Sequence, residues 1–514
     1  MLIAEYKFRL GLGERETIMA SDIISHLKNK KILILGFGRE GQSSYDFIDK
    51  HFDEIQPEKV IIADLNPIDS IEFYNEERIE IVHGDNYLDA MGNADIVLKS
   101  PGINFNMFHK KIVNGHYELE EYPGVEISGQ MDLFLRYTDA KVIGVAGTKG
   151  KSTTTSLVYE VIKSCTEKFF LLGNIGIPVL DYFDEVEQDS YCAIEMGVHQ
   201  LEFCMAAPHV AIVTNLYPEH LDHYRGLDDY ANSKLNILRW QKDDDIAILA
   251  AHEEMLIDRA LPLVRGKLLL VNDVEKQSFI DEQELDELGI KLLGRYSLTE
   301  LGRLRISKTE TEQSEELDLH LNPHLLGRHN KNNIIMAVAA CAIYGIDEHE
   351  AVKAIENFAG LEHRLEFVGN FRGVSFYNDS IATIPAATKL AIEALNDIGK
   401  VTTLLLGGLN RDLNYSNLVD FLYETDLRTV ICFPDTGYDI ANLIKEKNKS
   451  MDKQIIAVVI EDMAEAVRFA YEITRQNEIC LLSPAAASYN KYKNFAARGT
   501  AYKESIQKFA DAKI

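Results

Sequence analysis

The sequence predicts an α/β fold of three domains, each built on a mainly parallel sheet. Apolar runs of strand length alternate with helix-length segments along nearly all of the 514 residues. This rhythm is typical of helices packed on parallel sheets. Two of the strands run into glycine-rich loops, near residues 36 and 147. Each such loop should open its own nucleotide-binding unit, so the two belong to different domains. The C-terminal sequence supplies a third α/β unit.

The apolar runs give the strands in order. Strands are predicted at Lys31–Leu35, Val60–Ala63, Ile96–Leu98, Val142–Ala146, Ala211–Thr214, Ile246–Leu249, Thr402–Leu406, Val430–Phe433 and Ile479–Leu482. A helical segment, Gln130–Tyr137, precedes a first boundary, and Gly360 marks a second. The predicted domains are therefore residues 1–138, 139–360 and 361–514.

The end of the central domain has a different pattern. The polar segment Thr309–Glu316 should be a solvated turn or the tip of a hairpin. A helix should begin after Asn330 and run to about Tyr344, where Gly345 can end it.

Composition and charge exclude several classes of protein. Hydrophobic residues make up 46% of the chain, and the formal net charge is −28. Such an acidic chain is a poor partner for a nucleic-acid backbone, although local donors can still bind small anions. No apolar run reaches the length of a membrane span, and the charged N-terminal residues do not form a signal peptide. We therefore expect no nucleic-acid or membrane partner. The six cysteines show no paired spacing, which is typical of a reduced, cytoplasmic protein. We also expect a monomer.

The segment Val142–Thr153 has the layout of a strand, a phosphate-binding loop and a helix N-terminus. The loop reads Gly147-Thr148-Lys149-Gly150-Lys151-Ser152. Glycines let backbone N–H groups approach phosphate oxygens, Lys151 can reach the β- and γ-phosphates, and the Ser152 hydroxyl can ligate Mg²⁺. Val145 occupies the first glycine position of the general P-loop pattern, so an ordinary glycine-rich turn remains the alternative.

A second glycine motif, Gly36-Phe37-Gly38-Arg39-Glu40-Gly41, follows the first predicted strand. Asp64 ends the next strand, where an acid can bind a ribose hydroxyl. Ser100-Pro101-Gly102-Ile103 ends a later strand of the same unit, at the edge where open α/β sheets bind ligands. The motif alone is compatible with NAD, with another nucleoside diphosphate or with no ligand.

Polar side chains at strand ends of the central unit indicate a metal site near the P-loop. Glu195 ends one strand, His220 follows the next among acidic residues, and Lys234 lies beyond it. A carboxylate in this position can hold Mg²⁺, and the three together would suit a second ion. Asn330 and Asn333 can cap the helix that they begin, or they can bind an adenine edge.

The third unit also carries charged and hydroxyl side chains, Arg364 next to the Gly360 boundary, where it could reach a γ-phosphate, and the others after strands. They are Arg364, Asp379, Thr383, Arg411 and Ser488. A guanidinium suits a carboxylate or phosphate, so the set as a whole suits a small anionic substrate. Each residue alone is more often a cap or a surface residue.

In this motif order the sequence resembles the Mur ligase family, the ATP-dependent amide-forming enzymes of peptidoglycan precursor synthesis. The resemblance extends from about residue 30 to about residue 510. The matching motifs are Gly147–Ser152, Gly173–Gly176, Glu195, Asn215–Asp222, Lys234, Gly327–Asn330, His363-Arg364, Asn378–Ser380 and Leu406–Gly408. The segments Gly36–Gly41, Ser100–Ile103, Leu482–Ser488 and Lys493–Gly499 are most similar to members that act on glutamate.

The resemblance implies an ATP-dependent ligase that adds glutamate, usually D-glutamate, to UDP-N-acetylmuramoyl-L-alanine. The implied fold is a Rossmann-like UDP-binding domain, a P-loop ATPase domain and a Rossmann-like C-terminal domain. The UDP-linked donor, rather than NAD, would contact Gly38, Arg39, Glu40, Gly41, Asp64, Ser100, Gly102, Asn174 and Gln200. ATP would contact Gly147, Thr148, Lys149, Gly150, Lys151, Ser152, Thr153, Asn330, Asn333, Arg364 and Asp379.

The resemblance also implies the metal, catalytic and acceptor residues. Two Mg²⁺ ions would be held by Ser152, Glu195, His220 and Lys234, the lysine as a carbamate. The catalytic set would be Lys151, Glu195, His220, Lys234, Arg364 and Asp379. Glutamate would be held by Thr383, Arg411, Ser488 and the backbone N–H of Phe495.

Two departures from the family pattern leave alternatives open. Gly197-Val198-His199-Gln200 stands where Ser-Ser-Phe-Gln is usual, and Ile381 stands where a substrate-facing lysine is usual. L-Glutamate or a different donor is therefore one alternative. A nicotinamide-dependent oxidoreductase would explain the motif Gly36–Gly41 but not the P-loop with Glu195. A non-catalytic nucleotide-binding protein is the third alternative.

Overall fold

A computed structural model describes residues 22–68, 78–273, 276–309, 313–320, 322, 325, 328–396, 398–410 and 413–510. It contains three sheets. Contacts between Cα atoms divide the chain into two compact units. The first unit comprises Met1–Leu319 and Lys331–Ile355, and it contains the first two sheets. The second comprises His320–Asn330 and Glu356–Ile514, and it contains the third.

The first sheet has seven strands in the order β3-β2-β1-β4-β7-β6-β5. They are β1 Lys31–Leu35, β2 Lys59–Asp64, β3 Ile79–His83, β4 Ile96–Lys99, β5 Lys110–Val113, β6 His116–Leu119 and β7 Tyr122–Ser128. The helices of this part are α1 Ile23–Leu27, α2 Arg39–Lys50, α3 Phe52–Ile55 and α4 Gln130–Tyr137, with a 3₁₀ segment at Tyr87–Asn93. The strands β3, β2, β1, β4 and β7 are parallel, and β6 and β5 are antiparallel.

Both faces of this sheet are buried. Ile32 and Ile34 pack into one hydrophobic core, whereas Leu33 and Leu35 pack into another. Successive side chains of a strand point to opposite faces, so a strand covered on both sides must be apolar throughout. This explains why β1 reads as an uninterrupted apolar run.

The second sheet has nine strands in the order β16-β15-β14-β13-β12-β11-β8-β10-β9. They are β8 Lys141–Ala146, β9 Phe169–Gly173, β10 Tyr191–Glu195, β11 Val210–Val213, β12 Ile246–Ala250, β13 Lys267–Asp273, β14 Lys291–Leu298, β15 Leu304–Lys308 and β16 Gln313–Leu317. Its helices are α5 Lys151–Lys163, α6 Val198–Leu201, α7 Leu227–Lys234, α8 Asn236–Arg239, α9 Glu254–Ala260 and α10 Glu282–Leu288, with 3₁₀ segments at Val179–Glu185 and Leu261–Leu263. The helices α11 Arg328–Ile343 and α12 Glu348–Glu356 follow. Only β15 and β16 run antiparallel to their neighbours among these strands.

The third sheet has six strands in the order β17-β18-β22-β19-β20-β21. They are β17 Glu366–Phe371, β18 Val374–Asn378, β19 Lys400–Gly407, β20 Thr429–Phe433, β21 Ile456–Val459 and β22 Glu478–Leu482. The helices are α13 Pro385–Asn396, α14 Ser416–Leu422, α15 Thr436–Asn448, α16 Met463–Ile473 and α17 Phe495–Ala510. Hydrophobic cores cover both faces, as in the first sheet.

The α/β class is confirmed, and each predicted strand coincides with an observed one to within two residues at either end. The helix Gln130–Tyr137 and the helix that ends before Gly345 are also confirmed; Gly345 has a φ of +79°. The prediction for Thr309–Glu316 was wrong at its C-terminal end. Gln313–Leu317 forms the edge strand β16, paired with β15, and residues 310–312 lie outside the described part. In the ranges given above, no helix combines the length and apolarity that crossing a bilayer requires.

Candidate functional site

The P-loop connects the end of β8 at Ala146 to the start of α5 at Lys151. Gly147 has a φ of +139° and Gly150 a φ of +86°, in the region that favours glycine. A Cβ atom on Gly147 would lie 2.0 Å from Thr214 Oγ1, and one on Gly150 would lie 2.5 Å from Asn333 Oδ1. The two glycines are therefore required both by backbone conformation and by the close approach of neighbouring side chains.

The residues after β11 hold the loop in shape. Asn215 Oδ1 accepts from the backbone N–H groups of Thr148 and Lys149, at 3.1 and 2.8 Å. Its amide nitrogen and the Thr214 hydroxyl both donate to the Lys149 carbonyl, at 3.0 and 2.6 Å. Sequence reasoning did not assign a role to Asn215. The available signal was an asparagine directly after a strand that neighbours the P-loop strand.

Two lysines converge on the first residue of the loop. Lys151 Nζ donates to the carbonyls of Gly147 and Thr148, at 2.9 and 3.1 Å. Lys234 Nζ, at the end of α7, donates to the same Gly147 carbonyl at 2.8 Å. Lys234 is 2% exposed, and burial together with the charge of Lys151 lowers its pKa to about 6. The amine is therefore mostly uncharged at neutral pH.

Glu195, at the end of β10, has one carboxylate oxygen without a hydrogen-bond partner. The residue is 1% exposed, and Oε1 accepts from Asn174 Nδ2 at 2.7 Å. Oε2 is buried and accepts no hydrogen bond within the described part of the chain. A buried carboxylate oxygen in this state fits a cation at the site.

His220 lies in the turn after β11 and has a φ of +56°. Its Nε2 is 3.8 Å from Glu219 Oε2, and Lys149 Nζ donates to the other oxygen of Glu219 at 2.6 Å. Burial is the main cause that lowers the pKa of His220.

Across the described ranges, no group of three or more His, Cys, Asp or Glu side chains is arranged to hold a metal ion. Further oxygen ligands, such as a hydroxyl, a phosphate or a carbamate, would be needed to complete a cation site.

The glycine loop after β1 also leaves no room for a side chain at one of its glycines. A Cβ atom on Gly41 would lie 2.0 Å from the Gly36 carbonyl oxygen, which accepts from the Ser100 hydroxyl at 2.7 Å. Asp64 accepts from the backbone N–H groups of Phe37 and Asn66, at 2.7 and 2.8 Å. The structure thus brings Asp64 and Ser100 to the glycine loop. Gly38 and Gly102 have open space beside them.

Within the first unit, direct hydrogen bonds join this glycine loop to residues that end or follow strands of the second sheet. Gln200 Nε2 donates to Glu40 Oε1 at 2.6 Å, and burial raises the pKa of Glu40. Arg39 donates to the carbonyls of Gly173 and Gly176, at 3.0 and 3.3 Å. The segment Gly173–Gly176 also contains Asn174, which binds Glu195. The segment Gly173–Gly176 therefore contacts both a residue predicted to bind the UDP-linked donor and a residue predicted to act at the ATP site.

The second unit contains a further predicted group around Asp379. Asp379 accepts from the Ser483 hydroxyl at 2.8 Å and from the Leu365 N–H at 3.2 Å. Burial raises its pKa to about 7. Arg364 and Asn330 belong to the same unit, whereas Asn333 belongs to the first, where it packs on Gly150.

The predicted acceptor residues are also in the second unit. The Ser380 hydroxyl donates to the Phe495 carbonyl at 2.8 Å, and Ser488 is 3% exposed. Thr383 is half-buried, and Arg411 lies outside the described residues. Arg498, to which no role had been assigned, donates to Ser380 Oγ, Ser380 O and Ala486 O. Arg498 thereby links Ser380 to the segment that contains Ala486.

Two family models match the chain. One is described as the Mur ligase middle domain and matches residues 145–341. The other is described as Mur ligase, glutamate ligase domain, and matches residues 363–486. The chain belongs to the Mur ligase family. Like the other members, this Mur ligase is an ATP-dependent amide ligase. Neither a nicotinamide-dependent oxidoreductase nor a non-catalytic protein is favoured.

Similar proteins cover nearly the whole of this Mur ligase. A protein named UDP-N-acetylmuramoylalanine--D-glutamate ligase from Clostridium botulinum is 29% identical over 489 residues, 94% of this chain and 97% of the relative. One of the same name from Acetivibrio thermocellus is 29% identical over 505 residues, 95% and 98% of the two chains.

Solved structures show the same fold. MurF ligase from Thermotoga maritima in complex with ADP matches with a TM-score of 0.53 at 15% identity, over 95% of this chain and 96% of that one. UDP-N-acetylmuramate-alanine ligase MurC from Thermotoga maritima matches with a TM-score of 0.53 at 16% identity, over 94% and 100%. At these identities the likeness concerns the fold.

Proposed function

We propose that this Mur ligase joins D-glutamate to UDP-N-acetylmuramoyl-L-alanine, with ATP as the energy source, as a cytoplasmic monomer. Residues 1–138 would bind the UDP-linked donor, 139–360 ATP, and 361–514 glutamate. The observation that supports this most is the shared segment Gly173–Gly176. It binds Arg39 of the donor loop through its carbonyls and Glu195 of the ATP side through Asn174. A donor and a nucleotide bound at these two places would be joined through one segment of the chain.

The donor site would be formed by the glycine loop and the residues that join it to the central sheet. We assign to it Gly38, Arg39, Glu40, Gly41, Asp64, Ser100, Gly102, Asn174 and Gln200. Gly38 is the N-cap of α2, so the positive end of that helix dipole faces the loop and favours a diphosphate. The open space beside Gly38 and Gly102 leaves room for the ligand.

ATP would bind at the P-loop. We assign to it Gly147, Thr148, Lys149, Gly150, Lys151, Ser152, Thr153, Asn330, Asn333, Arg364 and Asp379. Lys151 would exchange its two loop carbonyl bonds for phosphate oxygens. Since α5 begins at Lys151, the helix N-terminus would add a partial positive charge at the same place.

The metal ligands would be Ser152, Glu195, His220 and Lys234. The unpartnered Oε2 of Glu195 and the hydroxyl of Ser152 are oxygen donors of the kind that Mg²⁺ prefers. Lys234, with a pKa of about 6, is a nucleophilic amine that can add CO₂, lose a proton and become a carbamate. A carbamate would replace a hydrogen-bond donor by anionic oxygens. When bound, Mg²⁺ neutralises charge on the phosphates.

The reaction requires activation, because a carboxylate does not condense with an amine in water. The alanyl carboxylate of the donor would attack the γ-phosphorus of ATP and release ADP, with Lys151 offsetting the negative charge that develops. The glutamate amine would then attack the acyl-phosphate carbonyl. Phosphate leaves, the amine loses a proton, and an amide remains. Thr383, Arg411, Ser488 and the N–H of Phe495 would hold the acceptor.

A substrate panel tests the proposal. Phosphate release should require both UDP-N-acetylmuramoyl-L-alanine and D-glutamate, and the product should be the UDP-linked dipeptide by mass. The panel should include L-glutamate, because Ile381 in place of the usual lysine bears on the acceptor site. Phosphate release with L-glutamate but not with D-glutamate would show that the acceptor is L-glutamate. No release with any UDP-muramoyl donor would refute the proposal.

A further inference from the structure

An aromatic cluster lies against the His220 imidazole. We define it as His199, His220, Tyr224 and Tyr230. The ring centroids of His199 and His220 are 4.9 Å apart in a T-shaped arrangement, with an interplanar angle of 67°. On another side, the Tyr230 ring centroid lies 6.4 Å from that of His220. His220 is thus contacted by two rings.

Tyr224 and His223 both contact the His199 ring, with the His223 centroid 4.2 Å away. His199 Nδ1 lies 3.0 Å from the Tyr224 hydroxyl, and the two rings are parallel to within 1°. Tyr224 is 3% exposed and packs edge-on against Tyr230, with centroids 5.7 Å apart. The Tyr230 hydroxyl in turn is 2.9 Å from Thr148 Oγ1 in the P-loop. The cluster therefore connects α6 to the P-loop through contacts on both sides of His220.

The His220 side chain needs such a support. It is 45% exposed, so burial alone does not select its rotamer. Its carbonyl accepts from the N–H groups of His223 and Tyr224, at 2.9 and 3.2 Å, which fixes the backbone of the turn. Those bonds do not act on the imidazole ring. Glu219 Oε2 lies 3.8 Å from Nε2 of that ring, and the rings of His199 and Tyr230 also contact it.

We propose that His199 is a positioning residue, which together with Tyr224 orients the His220 imidazole toward the cation that accompanies ATP. The inference rests on the proposed function, since that function makes His220 a metal ligand. Groups that hydrogen-bond a ligating histidine commonly contribute a factor of about 10 to 100 in metal affinity. The contact to His220 here is ring packing, so we expect a value at the low end of that range. His199 itself would not contact the metal, and it belongs to the segment in which this chain departs from the usual family sequence.

The test measures Mn²⁺ binding to the full-length protein with a non-hydrolysable ATP analogue, by electron paramagnetic resonance. His199→Ala and Tyr224→Phe should each weaken Mn²⁺ binding, the former by roughly tenfold. The double variant should bind Mn²⁺ no more weakly than His199→Ala, because both changes break the same contact. His209→Ala is the matched control, since His209 is paired with Asp245 at 2.9 Å and makes none of the cluster's contacts.

Three results would overturn the inference: unchanged Mn²⁺ affinity in His199→Ala, an equal loss in His209→Ala, or additive losses in the double variant. If His199→Ala fails to fold, Tyr224→Phe, which removes a single hydroxyl, decides alone. The proposed function fails by a different result, the absence of phosphate release from wild-type protein with every donor. The Mn²⁺ measurement needs no turnover, so the two failures can be told apart.

Discussion

Lys234 Nζ donates a 2.8 Å hydrogen bond to the carbonyl oxygen of Gly147, the first residue of the P-loop. The same amine lies 4.8 Å from the ring centroid of Tyr230. A lysine buried this deeply, beside the second cation Lys151, is costly unless it serves the site. Its uncharged form supports the proposal that it carries a carbamate.

Removing this amine should abolish most of the ligase activity. We expect Lys234→Ala to lower kcat by roughly 100-fold, because an anionic metal ligand is lost. Short carboxylates such as acetate should restore part of it by occupying the place of the carbamate. The control is Lys163→Ala on α5, whose side chain is 50% exposed. Full activity of Lys234→Ala without added carboxylate would contradict the assignment.

The lowered pKa of Lys234 also predicts a pH dependence of stability. Between pH 6 and 10.5 the unfolded lysine holds a proton that the folded one has lost. The free energy of unfolding should therefore rise with pH across this window, by at most about 1.4 kcal/mol per pH unit from this group. Urea unfolding of wild type and Lys234→Met, without bicarbonate, measures the difference. Parallel pH profiles of the two proteins would show that the lysine is not perturbed.

Asp379 should give a slope of the opposite sign. Its folded pKa of about 7 is above the ordinary 3.8, so the folded state holds the extra proton between these values. Its contribution to stability is present below pH 3.8 and is lost as pH rises toward 7. Asp379→Asn should remove this loss. The melting temperature of the variant minus that of the wild type should therefore be higher at pH 8 than at pH 5. Asp426→Asn, exposed and paired with Lys400, is the control and should show no such trend.

The P-loop glycines should not tolerate a methyl group. Gly147→Ala would place a Cβ 2.0 Å from Thr214 Oγ1 at a φ of +139°. The left-handed backbone alone costs an alanine about 1–2 kcal/mol, and the clash displaces the loop further. We expect ATP affinity to fall at least about tenfold by calorimetry, since each 1.4 kcal/mol is a factor of ten. Gly92→Ala, where the nearest atom is 3.8 Å away, should bind ATP normally. Similar affinities in both variants would contradict the geometry.

Ile381 offers a test of acceptor binding. Its backbone N–H donates to the His363 carbonyl at 3.1 Å, and its side chain is half-buried beside Ser380. Ile381→Lys adds a cation near the proposed acceptor residues, so KM for glutamate should fall by roughly tenfold, as a charge-assisted hydrogen bond contributes about 1.5–3 kcal/mol. Ile456→Lys, at an exposed position of the same unit, is the control. An unchanged KM and an unchanged preference between D- and L-glutamate would place Ile381 away from the acceptor.

Local patterns located nine of the parallel strands, although others, such as the apolar β13, were not among those named. A strand covered on both faces must be apolar throughout, and the glycine-rich loops follow such strands directly. The short or amphipathic strands were not predicted, among them β5, β6 and β15–β17. Their side chains alternate between core and solvent or lie at sheet edges, and their pairing depends on partners distant in sequence.

The sequence by itself determined the α/β class, the two glycine loops and which residues stand at strand ends. These features are local, because backbone conformation and periodicity depend on residues close in the chain. Only the tertiary structure decided that Lys234 is buried on the Gly147 carbonyl, that Asn215 braces the P-loop and that His199 packs on His220. Burial, pKa and ring contacts arise between segments far apart in sequence, where no local pattern records them.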